Sequence, residues 1–470
     1  MRARRAASLT MCAALAALGG CAAGPDYRRP DPPAIAAYRP VPNDTQHYRL
    51  DGEIPAQWWQ VFGSADLNTL VERALAANPN IDAARAALRQ AQENVAAQRG
   101  AFWPQAGAEL SPSRQKIAGN LTSPLSSGAG LYSLHTAQLT VAYAPDIFGG
   151  NRRAVESLSA SADVQAFELE AARLSIASNV VMAAFQEASL RGQIAAAENL
   201  AGLQMQMLNL ARRQFELGAI AKAGLITQEA ALAQTRALLP PLRKQLAQVR
   251  DLLTALVGDF PDQELAVRFE LDHLALPQQL PLTLPAQLVA QRPDVCAAEA
   301  QVHVAAAQVG IAVANRLPQF AIGGGIGSVA ARLPDLFKSG TGFWSVIGSI
   351  AQPIFQGGAL AHRQAAAQAG YEQALAQYRA TLIAAFQNVA DTLYALDQDR
   401  DALESATAAR DAAERAFAIA RRQTELGDIS QFALLGIEQT YLQTLIVEVQ
   451  AKTNRYADAA ALFQALGGGW

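Results

Sequence analysis

The sequence has little of what nucleic-acid-binding proteins and metalloenzymes need. Its 470 residues include only five histidines and three cysteines, and 38 Lys and Arg stand against 41 Asp and Glu. This charge balance excludes a strongly basic nucleic-acid-binding protein. The histidines show neither an HExxH motif nor the paired spacing of metal ligands. We therefore expect no nucleic acid partner and no metal or other non-covalent cofactor.

Charged residues are also scarce, at 17%, and aromatic residues make up 7%, whereas 51% are hydrophobic and alanine is abundant. This composition excludes a disordered chain and suits long helices that pack closely through small residues. The glycine-rich run at 323–327 lies inside a predicted strand and so is not a nucleotide-binding loop. Cys296 is interpreted as a small buried residue and not as a nucleophile. We expect no enzymatic activity.

The N-terminus combines three arginines within residues 1–5 with a mostly apolar segment at 6–17. This segment is too short for a normal transmembrane span and is typical of a secretory signal. The Leu-Gly-Gly that precedes Cys21 is similar to the lipobox of bacterial lipoproteins. We therefore predict that residues 1–20 are a cleaved signal peptide and that Cys21 carries a covalent lipid. The alternative is an ordinary signal peptide with an incidental cysteine.

Cleavage before Cys21 removes three arginines, so the formal net charge of −3 becomes −6. An acylated Cys21 leaves Cys296 without a partner for an intramolecular disulfide. An aspartate at position 22 would favour inner-membrane retention, so Ala22 favours the outer membrane. Prolines concentrate in 21–60, which predicts an extended, lipidated tether. No later run of 18 apolar residues exists, so we expect no transmembrane helix in the mature chain.

The chain contains an internal repeat. Asn-Pro-Asn-Ile at 78–81 matches Arg-Pro-Asp-Val at 292–295, and ARRQFELG at 211–218 matches ARRQTELG at 420–427. These ordered matches have nearly one offset, which is hard to obtain by chance. The predicted divisions of the mature chain after the tether are repeat 1 at 61–261, a linker at 262–290 and repeat 2 at 291–470.

Each repeat has the same predicted plan of a short helix, two strands and two long helices. Apolar residues recur every seven positions, as at Phe167, Leu174 and Val181, which predicts coiled-coil packing. Pro240-Pro241 is expected to bend or break its helix. The predicted elements are strands 104–114 and 134–146, helices 151–217 and 225–257, strands 318–329 and 343–354, and helices 359–426 and 434–465.

The four predicted strands alternate apolar residues with small or polar ones, as in Leu139, Val141 and Tyr143. This alternation is typical of a membrane β-barrel, and segments of about ten residues can cross a bilayer obliquely. A half-buried sheet in a soluble domain has the same period. Four strands cannot close a barrel, and open edges are not tolerated in lipid. If the strands span a membrane, several chains must share one barrel, and three chains would give twelve strands.

Several motifs distributed over nearly the whole mature chain point to one family. They are Cys21 with Gly24-Pro25-Asp26-Tyr27, Trp58-Trp59 with Phe62, Arg292-Pro293-Asp294-Val295 with Glu299, Gly357-Gly358, and the C-terminal stretch from Ala465 to Trp470. A chain with these motifs resembles the outer membrane factors, the TolC-like efflux ducts, and in particular their NodT- or OprM-like lipoprotein branch.

The resemblance implies an α+β membrane protein that forms a homotrimer. Each protomer would give four strands to a twelve-stranded outer-membrane β-barrel, continued by a long periplasmic α-helical coiled-coil barrel. The implied function is passive export of small molecules such as drugs, with a periplasmic adaptor and an inner-membrane pump of the RND type as partners. Two alternatives stay open: the duct of a type I protein secretion system, and a coiled-coil lipoprotein without a pore.

The resemblance also implies a periplasmic aperture just after the two Leu-Gly turns. In relatives, the second repeat has a hydrophobic constriction there and an acidic residue one turn further on. The matching positions are Phe432 and Gly436, so the hydrophobic residue is kept and the acidic one is missing. Asp428 and Glu438 lie nearby and are candidates to replace it. Three Phe432 rings near an axis would form a dewetting gate, and three carboxylates would select cations.

Both assignments have plainer alternatives. Phe432 is also compatible with helix-packing core, and Asp428 with a solvated helix cap. The turn glycines allow close backbone approach, so an adaptor could dock there. The candidate docking residues are Leu217, Gly218, Leu426 and Gly427.

Overall fold

Long helices dominate the chain, and two short segments of strand interrupt them in each half. The computed structural model describes residues 22–31, 48–50, 54–120, 128–263, 265–277, 279–282 and 291–470. The predicted signal peptide, Cys21 and most of the predicted tether lie outside these residues. The described helices are α1 (Ala65–Ala77), α2 (Pro79–Arg99), α3 (Gly150–Glu216), α4 (Lys222–Leu256), α5 (Pro293–Ala314), α6 (Ala359–Leu426) and α7 (Gln431–Ala465).

Glycines and short polar side chains determine where these helices begin and end. The Ser430 hydroxyl accepts a hydrogen bond from the backbone N–H of Ala433 and so caps the start of α7. At the other end of the turn, Gly427 has φ +81° and donates to the Thr424 carbonyl. Gly218, with φ +72°, ends α3 with the same pattern. Such glycine-terminated turns satisfy the last helix carbonyls and need a left-handed residue.

Helix α4 runs without interruption through Pro240 and Pro241, so the chain does not break there as expected. Each proline removes one backbone donor, which leaves the carbonyls of Arg236 and Ala237 without their helical partners. Both residues and both prolines are exposed, so water can satisfy these carbonyls. The missing hydrogen bonds are therefore tolerated on this face of the helix.

The chain forms two compact units. The first comprises the described residues of Met1–Pro30, Ala87–Gln165 and Ala298–Tyr378. It contains one antiparallel sheet in the order β2-β3-β5-β6. Its strands are β2 (Gln105–Lys116), β3 (Leu131–Tyr143), β5 (Gln319–Ala330) and β6 (Gly342–Ala351). The two remaining described strands, β1 (Tyr48–Leu50) and β4 (Leu280–Leu282), belong to the second unit.

The second unit comprises the described residues of Asp31–Ala86, Ala166–Ala297 and Arg379–Trp470. Strands β1 and β4 pair there in parallel. Its core is an aromatic cluster in which Trp58 stacks on Phe463, with ring centroids 5.4 Å apart, and Phe62 meets Phe185 edge to face. All four side chains are buried. This cluster joins the segment before α1 to the middle of α3 and the end of α7.

One described helix, α5, is long and apolar enough to cross a membrane by length and composition. Half of its apolar window is buried within the chain, as in an ordinary core helix. It also carries Glu299 and His303, which form polar contacts within the first unit. Length and composition alone are therefore weak evidence for a span at α5.

The turn glycines give a first prediction. Gly427→Ala should reduce the free energy of unfolding by about 1 kcal/mol, because alanine is strained at positive φ. Gly436→Ala should raise it by about 0.5–1 kcal/mol, since Gly436 lies inside α7 and a Cβ there meets nothing within 4 Å. Denaturant unfolding of the full-length protein in detergent measures both. Changes of the same sign in the two variants would contradict the assigned backbone roles of these glycines.

Candidate functional site

The four-stranded sheet has one apolar face. Its register aligns Ala108, Leu139, Ile326 and Trp344 in one row across all four strands. The next row on that face contains Ala106, Val141, Gly324 and Val346. Leu139, Ile326 and Trp344 are 58%, 63% and 76% exposed. A continuous row of large exposed apolar side chains needs an apolar partner.

The opposite face of the sheet is mostly polar or formed by glycines, apart from Phe343 and Ile347 of β6. One row contains Thr140, Gly325 and Ser345, and in the adjacent row Gln138 Nε2 donates to Glu109 Oε2 at 3.0 Å. A Cβ on Gly323 or Gly325 would meet no atom closer than 3.5 Å. Gly327 is closely covered, because a Cβ there would lie 2.8 Å from the Phe343 ring. This division into an apolar and a polar face matches the side-chain pattern of membrane β-barrels.

Aromatic side chains gather where the sheet joins the helices. Trp103 and Phe355 flank the outer strands at this end and are strongly exposed. Phe148 and Phe320 contact each other there, with ring centroids 6.2 Å apart. Amphipathic and aromatic rings are enriched at the two interfaces of a membrane. Their position favours an interface at this end of the sheet.

Residues 22–29, which we call the strap, are docked at the same end of the sheet. The Ala23 N–H donates to the Phe148 carbonyl at 2.8 Å, just after β3 ends. The strap passes so close to α5 that a Cβ on Gly24 would lie 2.5 Å from Gly310 Cα. The buried guanidinium of Arg153 donates to the Ala23 carbonyl and to Asp26. The chain after Cys21 is therefore fixed against the protein from its second described residue onward.

Tyr27 completes the docking of the strap. Its ring stacks on His303, with centroids 4.2 Å apart, and its hydroxyl donates to Glu299. Arg29 binds the other Glu299 oxygen at 2.8 Å. Burial, together with the Glu299 carboxylate, raises the pKa of Tyr27 above its usual range. His303 also hydrogen bonds to Glu156, so the strap joins α3 and α5.

The sequence predicted only an extended tether for this segment and assigned no contacts to it. The signal that was available is the Gly24-Pro25-Asp26-Tyr27 motif, because a tether needs neither an acid nor an aromatic ring at a fixed position. Its partners Glu299 and His303 lie about 270 residues away, which periodicity cannot reveal.

The candidate aperture residues lie around the turn between α6 and α7. Phe432 is half-buried and packs against a cluster formed by α3 and α7, which includes Leu203, Met207 and Leu435. A single chain therefore gives Phe432 a role in packing the start of α7. The same position keeps part of its ring accessible at the turn.

The three acidic-ring candidates differ in their surroundings. Gly436 faces open space. Asp428 is exposed, and its N–H donates to the Gln423 carbonyl as part of the helix-ending turn. Glu438 is half-buried, and this burial raises the pKa of its carboxyl. Because it follows Leu435 by three residues, Glu438 lies on the same face of α7 as the packed cluster.

The candidate docking residues form the two turns that end α3 and α6. Leu217 and Leu426 are strongly exposed beside their glycines. A Cβ on Gly218 or on Gly427 would meet nothing within 4 Å. Each turn therefore presents an apolar side chain next to accessible backbone.

Comparison with known proteins identifies the family. The family model described as outer membrane efflux protein matches residues 70–259 and 284–468. The chain is 28% identical over 430 residues to the pyoverdine export outer membrane protein OpmQ of Pseudomonas aeruginosa, covering 90% of this chain and 89% of that protein. It is also 28% identical over 473 residues to the toluene efflux pump outer membrane protein TtgF of Pseudomonas putida, covering 97% and 95%.

A solved structure of the outer-membrane channel OprN matches with a TM-score of 0.85 and 26% identity, over 96% of this chain and all of that one. This neighbour supports an α+β channel fold, and the family supports the outer membrane with a periplasmic part. Outer membrane efflux channels work with periplasmic adaptors and inner-membrane pumps. The expectations of efflux transport and of no enzymatic activity are thus confirmed. The chain belongs to the outer membrane efflux protein family, whose members are passive transport channels of the outer membrane.

Proposed function

We propose that the chain is the outer-membrane duct of a tripartite efflux system and that it acts as a homotrimer. The observation that carries this proposal is the sheet with one exposed apolar face and two edge strands, β2 and β6. Within the described residues, neither edge has a second strand partner. Backbone groups at an open edge cannot stay unsatisfied in lipid. We infer that β6 of one copy pairs with β2 of the next, so that three copies close one twelve-stranded barrel.

We infer further that the chain is a tandem repeat whose two long hairpins, α3–α4 and α6–α7, form the periplasmic part. Helices α3 and α6 contain 67 and 68 residues, which corresponds to about 100 Å each. Their heptad-spaced apolar residues suit packing between neighbouring helices, as in a coiled-coil barrel. The six hairpins of three copies would provide a closed helical wall.

Small organic molecules are the proposed cargo. Relatives are named for pyoverdine export and for toluene efflux, which supports a duct for compounds of this size. The proposed partners are a periplasmic adaptor and an RND-type pump, which supplies the energy. The exposed Leu217 and Leu426, with Gly218 and Gly427, offer the adaptor an apolar tip and open backbone.

We also propose that Cys21 is acylated. The strap supports this proposal, because it holds Ala22 against Gly149 at the end of the sheet where aromatic rings gather. A lipid on the preceding residue would therefore leave the protein at the expected membrane interface. Several acyl chains together give durable anchoring, whereas one chain alone is marginal.

Trimer formation tests the function directly. In mild detergent the full-length protein should have the native mass of a trimer and should form ion-conducting pores in planar bilayers. A monomer that needs no detergent would contradict the proposal.

Leu139→Arg should destabilise the inserted barrel by about 2–4 kcal/mol, because it places a charge on the lipid face. Thr140→Arg, one residue further on the polar face, is the matched control and should still insert.

Lipidation is tested by the mass of the protein purified from membranes. It should begin at Cys21 and carry a diacylglycerol and an acyl chain. Cys21→Ser should lack this added mass, whereas Cys296→Ser should keep it. An unmodified Cys21 in the mature wild-type protein would show that the anchor is absent.

The aperture is tested by restoring the acidic residue. Gly436→Asp should raise the preference of the pore for cations over anions, since a trimer then holds three carboxylates near its axis. The open space at Gly436 admits the side chain without a clash. Gly370→Asp is the control, because Gly370 is a glycine of α6 that also faces open space, far along the chain from the turn. An equal change in both variants would argue against an aperture at Gly436.

A further inference from the structure

Pairs of facing side chains tie each of the two long hairpins of the second unit together, and we call three of these pairs in each hairpin rungs. In the first hairpin all three rungs are ion pairs between α3 and α4. From the turn outward they are Arg212 with Glu229 at 3.6 Å, Glu198 with Arg243 at 2.7 Å, and Glu187 with Arg250 at 2.8 Å. Every rung of this hairpin is attractive at neutral pH.

The second hairpin has a different composition. Its first rung is the stacked pair of Phe417 and Tyr441, with ring centroids 5.9 Å apart. In its second rung, Arg410 Nη2 donates to Glu448 Oε1 at 3.1 Å. In its third rung, Asp458 has the carboxyl of Asp399 as its hydrogen-bonding neighbour. The third rung of this hairpin therefore consists of two acids, whereas the third rung of the first hairpin consists of an acid, Glu187, and a base, Arg250.

Hairpin register brings the two acids together. Asp399 lies 27 residues before the end of α6 at Leu426, and Asp458 lies 27 residues after the start of α7 at Gln431. In the first hairpin, Glu187 and Arg250 lie 29 and 28 residues from the corresponding ends. The third rungs thus occupy equivalent levels of the two hairpins.

The acid pair needs a proton to be attractive. Asp458 Oδ2 is buried, and no N–H or O–H group of the described residues forms a hydrogen bond to it. Two ionised carboxylates both accept and cannot hydrogen bond to each other. A proton on Asp458 allows a hydrogen bond between the two carboxyls, whereas without that proton two like charges face each other.

The nearby cations are already engaged. Arg455, one turn before Asp458 on α7, is buried and donates to the Leu396 carbonyl of α6 at 3.0 Å. Arg400, the next residue after Asp399, binds Asp401 at 2.8 Å. The charged groups acting on Asp458 are therefore Asp399 from the facing helix and Arg455 from its own, and the arginine opposes the protonation.

We propose that Asp458 and the facing Asp399 form a proton-dependent latch, which ties α6 to α7 when Asp458 is protonated and loosens the base of this hairpin when Asp458 is ionised. The first hairpin, held by Glu187 and Arg250 at the same level, stays closed.

The pKa of Asp458 in the folded protein determines whether acid or alkali loosens the latch. Burial, followed by the hydrogen bond and charge of Asp399, raises the pKa of Asp458 from 3.8 to about 7. Its folded-state pKa is above its unfolded value, so its stabilising contribution is complete below pH 3.8 and is lost as the pH rises through about 7. Loosening is therefore expected on the alkaline side of neutrality.

The effect of the latch on transport rests on the proposed function, because it requires the α6–α7 turn to line an aperture. The latch itself does not. Hydrogen exchange on the full-length protein in detergent measures it directly, whether or not the protein conducts ions. A latch that responds in a protein without pores would refute the function alone, and pores with an unresponsive hairpin would refute the latch alone.

The experiment compares exchange at pH 5.5 and 8.5, corrected for intrinsic amide rates. Peptides covering 395–403 and 454–462 should lose protection by about tenfold or more at the higher pH, with a midpoint near 7. Peptides covering 183–191 and 247–254 in the first hairpin should not change. Equal changes in both hairpins, or no change in either, would overturn the proposal.

Matched variants assign the effect to the pair. Asp458→Asn and Asp399→Asn each supply a permanent amide donor to the remaining carboxylate, so both should stay protected at either pH. Asp401→Asn, an exposed acid two residues from Asp399, should behave as the wild type. If both latch variants keep the wild-type pH dependence, or if Asp401→Asn abolishes it, the assignment is wrong.

Discussion

The hydrogen-bonding demand of a sheet edge governs this architecture. In water, the backbone N–H and C=O groups of an unpaired edge strand can form hydrogen bonds with solvent. In lipid no such partner exists, and each unsatisfied group is costly. Strands β2 and β6 form the two ends of the four-stranded sheet. Its apolar row of Leu139, Ile326 and Trp344 favours lipid over water. In the proposed trimer these features couple membrane insertion to assembly, since one copy alone would satisfy its side chains in lipid but not its backbone.

Local patterns in the sequence predicted most of the secondary structure. The alternation around Leu139 and Val141 predicted a strand, and β3 runs from Leu131 to Tyr143. The Leu-Gly turn at Gly427 predicted a helix end, and α6 ends at Leu426. We expected Pro240 and Pro241 to bend or break their helix, and a break is wrong because α4 continues through them. The intrinsic preference of proline takes no account of the solvent that can satisfy the carbonyls of its neighbours.

Contacts between residues far apart in the chain could not be predicted from the patterns in the sequence. The strap depends on Tyr27 meeting His303 and Glu299, and no period in the chain relates these positions. Prediction of the proposed aperture is limited in another way, because a gate at Phe432 would arise only between copies. Within one chain, Phe432 packs beside Leu435, and both roles require the same apolar residue. Resemblance alone suggested Phe432 as an aperture residue, whereas the contacts within a single chain account for its packing.

The glycines of β5 have a consequence for what such a wall can distinguish. Gly323 and Gly325 leave the polar face of the strand bare, beside the small side chains of Thr140 and Ser345. Selectivity needs side chains that hold one molecule better than another. Where this face lines a passage, the glycine positions of β5 offer almost nothing with which to discriminate. Discrimination on this face would therefore come from the neighbouring strands, which carry Glu109 and Gln138.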